Sequence, residues 1–498
     1  MKSICSKAWK NRFHILAILV VLLGITYRLF MFFQNRNLII DEANVVRNVY
    51  ERGFLGLLKP LSYEQYAAPL YVWSLELCSY VFGYSEKAMR LPALICGVGA
   101  IFIYWQLLRK VMPVNSLWLP LGLLCFAPIL VKYSAEVKQY VPDAFIAVLL
   151  VSMALRFDLL SMKRRKFIFT WIAIGSIAIW ASQPAVFILA TVGIYYFSQA
   201  VLQKKWNLFP ALFIIGLVWL AQFGVYYELI LKTQINSDYL QNYHREYFLF
   251  ATPSNKEEWM HNWIRIKEIL NNTSGYNQYS LIMCIGLILF GYFALLRKSI
   301  SLFILLSFPV FITLVAAALN QFSLIERVAI FILPFTMLAM GYGFSQLMAI
   351  RFKAVPIAPL MLTFAGLYIL KYYNMNSLFR ERFSFQEITA GFDYILSKNG
   401  TGKELYVDCA SRDTYIYYTQ IHPDKSKYTM LNGAYLFNWS DDNFPEVSSK
   451  VSTPRSFFIF TGGGSESRDK HVNQIKENLT QTDYFEFAIC YVFTFQKK

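Results

Sequence analysis

The sequence predicts a polytopic α-helical membrane protein that carries a small α/β domain at its C-terminal end. Over 498 residues, 56% are hydrophobic and the mean hydropathy is +0.39, which is more apolar surface than a soluble fold of this length buries. Long apolar runs recur along the chain, and Lys and Arg gather in short clusters between them. The formal charge of +16 therefore indicates membrane topology and not a nucleic-acid partner.

Eleven apolar runs are long enough to cross a hydrocarbon core of about 30 Å. The first, residues 13–33, follows Lys2, Lys7, Lys10 and Arg12 and precedes no small-residue cleavage site, so we expect a retained anchor. The other predicted spans are residues 90–108, 116–132, 141–157, 167–182, 184–202, 206–227, 279–296, 299–318, 327–348 and 354–372.

An apolar segment at residues 69–83 decides the topology, because it is short for a span and contains Glu76. If it lies in the membrane interface, the basic clusters between the spans all face the side of the N-terminus, as the positive-inside rule requires. We therefore predict an interfacial helix within a long first outer loop, residues 34–89. The same parity places residues 232–278 and the tail from 373 outside the cytoplasm.

The tail predicts an extracytoplasmic α/β domain at residues 373–498, distinct from a transmembrane domain at residues 1–372. Its pattern predicts helices over 385–398, 412–420 and 468–479, with strands in ELYVDCA, SFFIFTG and YFEFAICYVFTF. Cys409 and Cys490 lie in this domain, and they can pair only if their strands are neighbours in an oxidising compartment.

Two adjacent carboxylates, Asp41 and Glu42, begin a helix-like stretch in the first outer loop. Acidic side chains at a helix N-terminus accept backbone N–H bonds and favour the positive end of the helix dipole, for about 1 kcal/mol. A carboxylate at the membrane surface also suits a general base that takes a proton from an acceptor hydroxyl. The spacing alone does not separate capping from catalysis.

A second polar group lies in the turn between the predicted third and fourth spans. The motif YSAEVKQYVPDAF contains Glu136, Lys138, Tyr140 and Asp143. Lys138 suits either an interfacial anchor or a phosphate ligand. The turn is therefore a candidate for binding a polar substrate.

Three arginines lie at the outer ends of predicted spans: Arg28, Arg90 and Arg327. Each alone is compatible with snorkelling to the interface. Together with Lys138 they place four cations at one depth, on the side where the positive-inside rule leaves few. This grouping favours an anion site, and a lipid phosphate is the anion present at that depth.

Several familiar motifs are absent from the sequence. It contains no P-loop, no GxGxxG between a strand and a helix, no HExxH and no GxSxG, so nucleotide binding and the common hydrolase chemistries have no support. His244 and His261 are too far apart in an irregular loop to predict a metal pair. A donor substrate is expected to arrive through the membrane.

Five motifs occur in a characteristic order over about the first 350 residues: LIIDEANVV, APLYVWSLELCSYVFG, SEKAMRLPALICGVGAI, YSAEVKQYVPDAF and ERVAIFILPF. In this order they resemble the C-fold, polyprenyl-phosphate-sugar-dependent glycosyltransferases, the bacterial kin of protein O-mannosyltransferases and of the lipid A aminoarabinose transferase. The α/β tail resembles the extracytoplasmic C-terminal domain that many of these proteins carry.

The resemblance implies an inverting transfer of a sugar from an undecaprenyl-phosphate carrier to a lipid, glycan or protein acceptor, in a bacterial cytoplasmic membrane. It implies that Asp41 is the catalytic base and that Glu42 orients this base or the acceptor. Glu136 matches the acidic residue of the second outer turn, and Lys138 stands where the family usually has Arg. Arg327 matches the arginine that opens a late span.

The sequence departs from the family at two motifs. Val328 follows the late arginine where the family commonly has Tyr, and Ala67 and Ala68 precede the interfacial helix where it often has a second Pro or a His. A sugar phosphate already has a good leaving group, so one base and several cations suffice for the implied chemistry. No metal is required, and no residue pattern supports a divalent cation.

Two other functions fit a polytopic chain. A transporter or flippase for a lipid-linked sugar would place ionisable residues near the bilayer midplane, often in repeated halves, whereas here they collect at outer ends and no repeat is visible. An envelope receptor would use its spans only as an anchor, for which eleven are excessive. Convergence of Asp41, Glu136 and Arg327 on one outer cavity would favour the enzyme.

Overall fold

The computed structural model describes residues 2–157, 162–235, 237–349, 366–368, 386–438, 444–449, 451–462 and 465–498. The first part of the chain is almost entirely helical, and a five-stranded sheet lies near the C-terminal end. The helices before the sheet are α1 (Lys2–Phe33), α2 (Ile40–Gly56), α3 (Pro69–Phe82), α4 (Glu86–Val111), α5 (Trp118–Phe126), α6 (Pro128–Tyr133), α7 (Tyr140–Ala154), α8 (Arg164–Ala181), α9 (Ala185–Leu202), α10 (Phe209–Tyr226), α11 (Lys232–Ile235), α12 (Asp238–Arg245), α13 (Lys256–Ser274), α14 (Gln278–Lys298), α15 (Ile300–Ala318) and α16 (Leu333–Ala349).

Among the described residues, 7 helices are long and apolar enough to cross a membrane, and the prediction of a multi-pass membrane protein is confirmed. These helices are Arg12–Phe33, Glu86–Val111, Ala185–Leu202, Trp206–Leu231, Gln278–Lys298, Ile300–Ala318 and Val328–Ala349. The predicted number of eleven spans is not confirmed. The predicted spans at 116–132, 141–157 and 167–182 fall on shorter or less apolar helices, and the one at 354–372 lies almost wholly outside the described residues.

The break in the predicted span 116–132 has a clear cause in Pro128. Ala127, with φ −57° and ψ 116°, separates α5 from α6, because a residue before proline disfavours the helical conformation. Pro128 also has no N–H to donate to the carbonyl of Leu124. Arg28 supplies this bond instead, because its Nη2 donates to Leu124 O at 3.1 Å and its Nη1 to Cys125 O at 2.9 Å. The buried guanidinium thus joins α1 to the break.

Helix α16 lies inside the membrane part, because the apolar stretch Val328–Ala349 that contains it is almost completely buried. Small residues allow α14 to pack closely against it. A Cβ atom on Gly291 would lie 2.0 Å from the carbonyl oxygen of Ala339, and one on Gly343 would lie 2.2 Å from that of Leu287. Because α16 is held on all sides, the 3-10 segment Val328–Ile332 before it fixes the position of Arg327 at its outer end.

The predicted first outer loop, which keeps that name below, contains two helices, α2 and α3. Helix α3 has 14 residues and is therefore about 21 Å long at the helical rise of about 1.5 Å per residue, too short to cross the bilayer core. This length agrees with the predicted interfacial helix at 69–83. Pro69 begins the helix, a position where the missing N–H of proline costs nothing.

The C-terminal part contains a mixed five-stranded sheet, and the prediction of an α/β tail is confirmed. Its strands, in the order β2-β1-β3-β5-β4, are β1 (Leu405–Val407), β2 (Tyr435–Leu436), β3 (Arg455–Thr461), β4 (Leu479–Phe487) and β5 (Cys490–Lys497). β1 is parallel to β2 and β3, whereas β3, β5 and β4 are antiparallel. The accompanying helices are α17 (Ile388–Ser397), α18 (Cys409–Ile416), α19 (Phe444–Ser449) and α20 (Ser465–Asn478).

Two predictions about the C-terminal tail have different outcomes. The division between domains at residues 372 and 373 lies outside the described residues and stays a prediction. Cys409 begins α18 and Cys490 begins β5, and both thiols are free.

The tail contacts the first outer loop through buried polar side chains. Tyr418 accepts a hydrogen bond from the backbone N–H of Leu38 at 2.9 Å, and its hydroxyl donates to Glu86 at 2.7 Å. Arg47 on α2 forms an ion pair with Asp413 on α18. These bonds attach the tail directly to the segment that leads into Asp41 and Glu42.

Candidate active site

Asp41 and Glu42 lie in the first turn of α2 and point to different surroundings. Glu42 is the residue that caps the helix, because its Oε2 accepts the N–H of Ile39 at 3.2 Å. Asp41 forms no such cap, and 38% of its side chain is exposed. The structure thus assigns the capping role to Glu42 and leaves Asp41 facing an open basin.

Glu42 is held in a buried clamp with Arg90. The guanidinium donates from Nε to Oε1 at 2.9 Å and from Nη2 to Oε2 at 2.7 Å, and the backbone N–H of Val137 donates to Oε1 at 2.8 Å. Arg90 Nη1 also donates to the carbonyl of Arg36 at 2.7 Å. Both side chains are almost fully buried, so the clamp fixes α2 to α4 and to the turn after α6.

Lys138 is the nearest cation to Asp41. Its buried ammonium group lies 3.6 Å from Asp41 Oδ2 and donates to Gln65 Oε1 at 2.7 Å. The charge of Lys138 lowers the pKa of the Asp41 carboxyl, and Arg327 lowers it further. Burial lowers the pKa of Lys138, an effect that the Asp41 carboxylate partly offsets. The pair therefore keeps Asp41 ionised, as a general base requires.

Arg327 is the second cation within electrostatic reach of Asp41. Its Nη2 donates to the hydroxyl of Tyr243 at 2.7 Å, which ties it to the second outer loop. Tyr140 faces the same region, with its ring 5.0 Å from that of Tyr133 and at 87° to it. Two cations from different parts of the chain therefore surround one exposed carboxylate, in an arrangement that suits a phosphate beside a base.

Glu136 is buried in the same turn and lies 4.0 Å from the ammonium group of Lys132. Its Oε1 has no hydrogen-bond partner among the described residues. Burial raises the pKa of the Glu136 carboxyl. The structure therefore brings Glu136 close to the predicted site but gives it a different environment from Asp41.

Asp143 belongs to a small polar cluster with Ser182, Gln183 and Tyr226, which we name the polar chamber. The carboxyl of Asp143 interacts with the hydroxyl of Ser182, and the hydroxyl of Tyr226 interacts with the side chain of Gln183 and lies within electrostatic reach of Asp143. Tyr66 lies within electrostatic reach of both Asp41 and Asp143, so the chamber adjoins the basin.

Two of the cations predicted for phosphate binding are engaged elsewhere. Arg28 donates to backbone carbonyls at the break between α5 and α6, and Arg90 donates to Glu42. Of the predicted residues, the structure brings together Asp41, Lys138 and Arg327. It separates Asp143, Arg28 and Arg90 from them by giving each its own surroundings.

Sequence reasoning missed three residues at this site: Gln65, Tyr66 and Tyr243. Gln65 holds Lys138, the backbone carbonyl of Tyr66 accepts a bond from Gln139 Nε2 at 3.0 Å, and Tyr243 holds Arg327. Gln65 and Tyr66 directly precede the Ala-Ala-Pro motif, which was the available signal. Tyr243 lies in an irregular loop, where no periodicity indicated its role.

Comparison with protein-family models and with curated proteins gives no match. Comparison with solved structures gives matches over nearly the whole chain. ArnT from Cupriavidus metallidurans in the apo state is 11% identical with a TM-score of 0.54, and each chain is covered to 98%. The same protein bound to undecaprenyl phosphate is 12% identical with a TM-score of 0.52, again with 98% of each chain covered.

An oligosaccharyltransferase from Archaeoglobus fulgidus, tethered to an acceptor peptide, is 10% identical with a TM-score of 0.49. The match covers 97% of this chain and 74% of that protein. At such identities the ArnT matches show the fold. They agree with the resemblance on which the sequence prediction rested. The chain therefore has the fold of ArnT over nearly its whole length.

Proposed function

We propose that this protein is an inverting glycosyltransferase that moves a sugar from a polyprenyl phosphate, such as undecaprenyl phosphate, to an acceptor hydroxyl. The observation that carries the proposal is the basin at the start of α2, where the exposed carboxylate of Asp41 lies 3.6 Å from Lys138 and within electrostatic reach of Arg327. One base beside two cations is the set that transfer from a sugar phosphate needs. The fold shared with ArnT, which was solved with undecaprenyl phosphate bound, supports the same donor class.

In the proposed reaction Asp41 accepts the proton of the acceptor hydroxyl. The acceptor oxygen forms a bond to the anomeric carbon as the bond from that carbon to the phosphate oxygen breaks, with inversion. The electron pair leaves with the phosphate, whose charge Lys138 and Arg327 stabilise. A glycosidase needs a second carboxyl to protonate a poor leaving group, and a phosphate does not. Arg28 and Arg90 are left out of the proposed phosphate site, because Arg28 donates to backbone carbonyls and Arg90 to Glu42.

The polar chamber beside the basin suits the transferred sugar. Asp143, Ser182, Gln183 and Tyr226 offer a carboxylate, two hydroxyls and an amide within one cluster, and these donors and acceptors match the hydroxyl or amino groups of a sugar ring. Asp143 therefore changes role in the proposal, from a residue near the phosphate to one that contacts the sugar.

An apolar groove between α8, α9 and α10 suits the polyprenyl chain. It has a volume of about 620 Å³, and its lining includes Trp171, Trp219 and Phe223. Ile179 and Val186 lie at one end of the groove, next to the turn that carries Ser182 and Gln183. A chain in this groove would leave its phosphate near the polar chamber, on the side of the cytoplasmic membrane that we infer to be extracytoplasmic from the distribution of Lys and Arg.

The test is transfer of radiolabelled sugar from undecaprenyl-phosphate-sugar pools in membranes that contain wild type, Asp41→Asn or Asp238→Asn at matched expression. Removing a general base is expected to lower the rate by about 10²–10⁴-fold. Asn has the same shape as Asp, and the cap of α2 is formed by Glu42, so the fold should be unaffected. Asp238 is the matched control, because it is an exposed acid in the first turn of another outer helix.

Equal transfer by wild type and Asp41→Asn would contradict the role of Asp41. No transfer by wild type from any pool would favour the alternative, a transporter or flippase for a lipid-linked sugar. Transport would then be measured as movement of the labelled lipid across the bilayer of reconstituted vesicles.

A further inference from the structure

A polar cavity is lined by Arg327, the cation that also acts electrostatically on Asp41. It has a volume of about 420 Å³, within the range of about 300–1,000 Å³ that is typical of small-molecule sites. Its walls come from α6, from Tyr247, from α13 together with Tyr276, and from the segment before α16. No residue of the proposed base, sugar chamber or polyprenyl groove lines it except Arg327.

The cavity and the basin share one wall. Arg327 and Tyr133 line the cavity, and Arg327 acts electrostatically on Asp41. Tyr133 packs edge-on against Tyr140, which also faces Arg327. Arg327 and Tyr133 therefore connect the cavity to the surroundings of Asp41.

The walls combine aromatic rings with charges of both signs. Arg265 stacks on the ring of Tyr247 with 4.9 Å from its Cζ to the ring centroid, and it pairs with Glu268 at 2.9 Å. The hydroxyl of Tyr276 donates to Glu326 at 3.2 Å. Rings, carboxylates and guanidinium groups thus come from separate elements and meet around one open space.

This combination selects against most ligand classes. Three cations also line the cavity, but each already has an acid near it: Arg265 pairs with Glu268 at 2.9 Å, Lys132 lies 4.0 Å from Glu136, and Arg327 acts on Asp41. With these charges balanced and the carboxylate of Glu326 in the wall, a bare phosphate is disfavoured, and the ionised walls exclude an acyl chain. The cavity has no β-strand edge in its lining to pair with an extended peptide. A sugar ring fits, because its C–H faces pack on tyrosine rings and its hydroxyls both donate to carboxylates and accept from cations.

We propose that this cavity binds a saccharide unit of the acceptor and presents its hydroxyl to Asp41 past Arg327 and Tyr133. The inference rests on the proposed glycosyl transfer and narrows its acceptor to a glycan, free or attached to a lipid. Inversion then requires the acceptor hydroxyl and the donor phosphate to lie on opposite faces of the anomeric carbon, with Asp41 on the side of the hydroxyl.

Substitution of Tyr276 gives the sharpest test, because a tyrosine of similar exposure lies nearby in the sequence but outside the cavity. Tyr276 is 66% exposed and lines the cavity, whereas Tyr279, three residues later, is 69% exposed and does not. Both can be replaced by Ala with little loss of packing. Saturation-transfer difference NMR on the full-length protein in detergent would use methyl hexopyranosides and methyl N-acetylhexosaminides as probes.

At least one probe is expected to give a signal with wild type and with Tyr279→Ala, and a signal at least five-fold weaker with Tyr276→Ala and with Glu326→Gln. Equal signals for all four proteins would overturn the proposal. A signal that inorganic phosphate abolishes would point to an anion site, and binding of a serine-containing peptide in place of every glycoside would point to a protein acceptor. Either result would also overturn it.

Transfer kinetics separate this inference from the proposed function. If wild type transfers sugar, Tyr276→Ala should raise the acceptor concentration that gives the half-maximal rate at least ten-fold. The donor concentration that gives the half-maximal rate should stay unchanged. A change for the donor alone would assign the cavity to the donor. If wild type transfers nothing, the proposed function fails, and the binding of glycosides at the cavity is decided by the NMR comparison alone.

Discussion

Asp41 and Glu42 are adjacent in the sequence, yet one faces an open basin and the other a sealed clamp. Successive residues on a helix point about 100° apart, so α2 directs one carboxylate toward Lys138 and the other toward Arg90. Glu42 accepts bonds from Arg90, Val137 and Ile39 and is almost fully buried. Asp41 has one cation at 3.6 Å and keeps 38% of its side chain exposed.

The difference teaches how a site of this kind is built. A carboxylate whose lone pairs are all occupied positions the backbone and has nothing left for a substrate. A carboxylate that is kept ionised but only partly bonded can still receive a proton. The clamp therefore stabilises the fold, and the basin carries the proposed chemistry.

The largest expected effect on stability comes from the clamp. Glu42→Gln leaves the buried guanidinium of Arg90 without its counter-charge, and breaking a buried ion pair costs about 3–5 kcal/mol. We expect a marked drop in the apparent Tm of the full-length protein in detergent. Thermal unfolding followed by tryptophan fluorescence would measure it against Glu51→Gln, a more exposed acid on the same helix.

A double variant sharpens this result. Glu42→Gln with Arg90→Met removes both charges, so it should be less destabilised than the sum of the two single variants. Strict additivity would mean that the two side chains are not coupled. In that case the clamp would not be the reason for the difference between Asp41 and Glu42.

The next effect concerns the pH dependence of transfer. Lys138 lowers the pKa of Asp41, and the active form of the base is the carboxylate, so activity is present above that pKa and lost as the pH falls through it. Lys138→Met removes the main cause of the lowering. The acid limb of the profile of kcat/KM against pH should therefore move to higher pH.

Lys138→Arg is the control for charge, because it keeps a cation beside Asp41. Its acid limb should stay close to that of wild type. An unchanged acid limb in Lys138→Met would show that Asp41 is not the group that titrates. The assignment of the base would then move to another carboxylate, and Glu136 is the nearest one in the same outer turn.

The sequence allowed most of the fold to be predicted. Apolar runs and basic clusters depend on local composition, and the helix and strand segments of the tail were all found near their predicted places. The count of spans was less predictable, because Pro128 breaks one apolar run into α5 and α6 without changing its hydropathy. Arg28 illustrates the consequence, since its role depends on carbonyls that this break leaves open.

A residue of the site could be predicted only where it belongs to a recognisable short motif. Asp41, Lys138 and Arg327 each belong to a short motif, and the structure brings them together. Which carboxylate faces the basin was not predictable, because it depends on the rotation of α2 against Arg90. Tyr243 was not predictable either, since it reaches Arg327 across 84 residues of sequence from a loop without periodicity.

The smallest expected effect tests whether the C-terminal sheet domain positions the basin. Tyr418→Phe removes the hydroxyl that joins Leu38 to Glu86, and the loss of such a buried bond costs about 1–3 kcal/mol. Because Leu38 lies three residues before Asp41, we expect transfer to fall several-fold along with a modest drop in apparent Tm. The rate of transfer in membranes, at matched expression, measures the first effect.

Tyr415→Phe is the matched control, because its buried hydroxyl donates at 2.7 Å to the carbonyl of Leu431 within the same domain and not to the segment that leads into Asp41. It should lower stability by a similar amount and leave the rate of transfer nearly unchanged. If both variants lose activity equally, the effect comes from domain stability and not from the position of Asp41. If only Tyr418→Phe loses activity, the tail acts on the basin through Leu38, and the contrast between Asp41 and Glu42 extends to the domain that holds their helix in place.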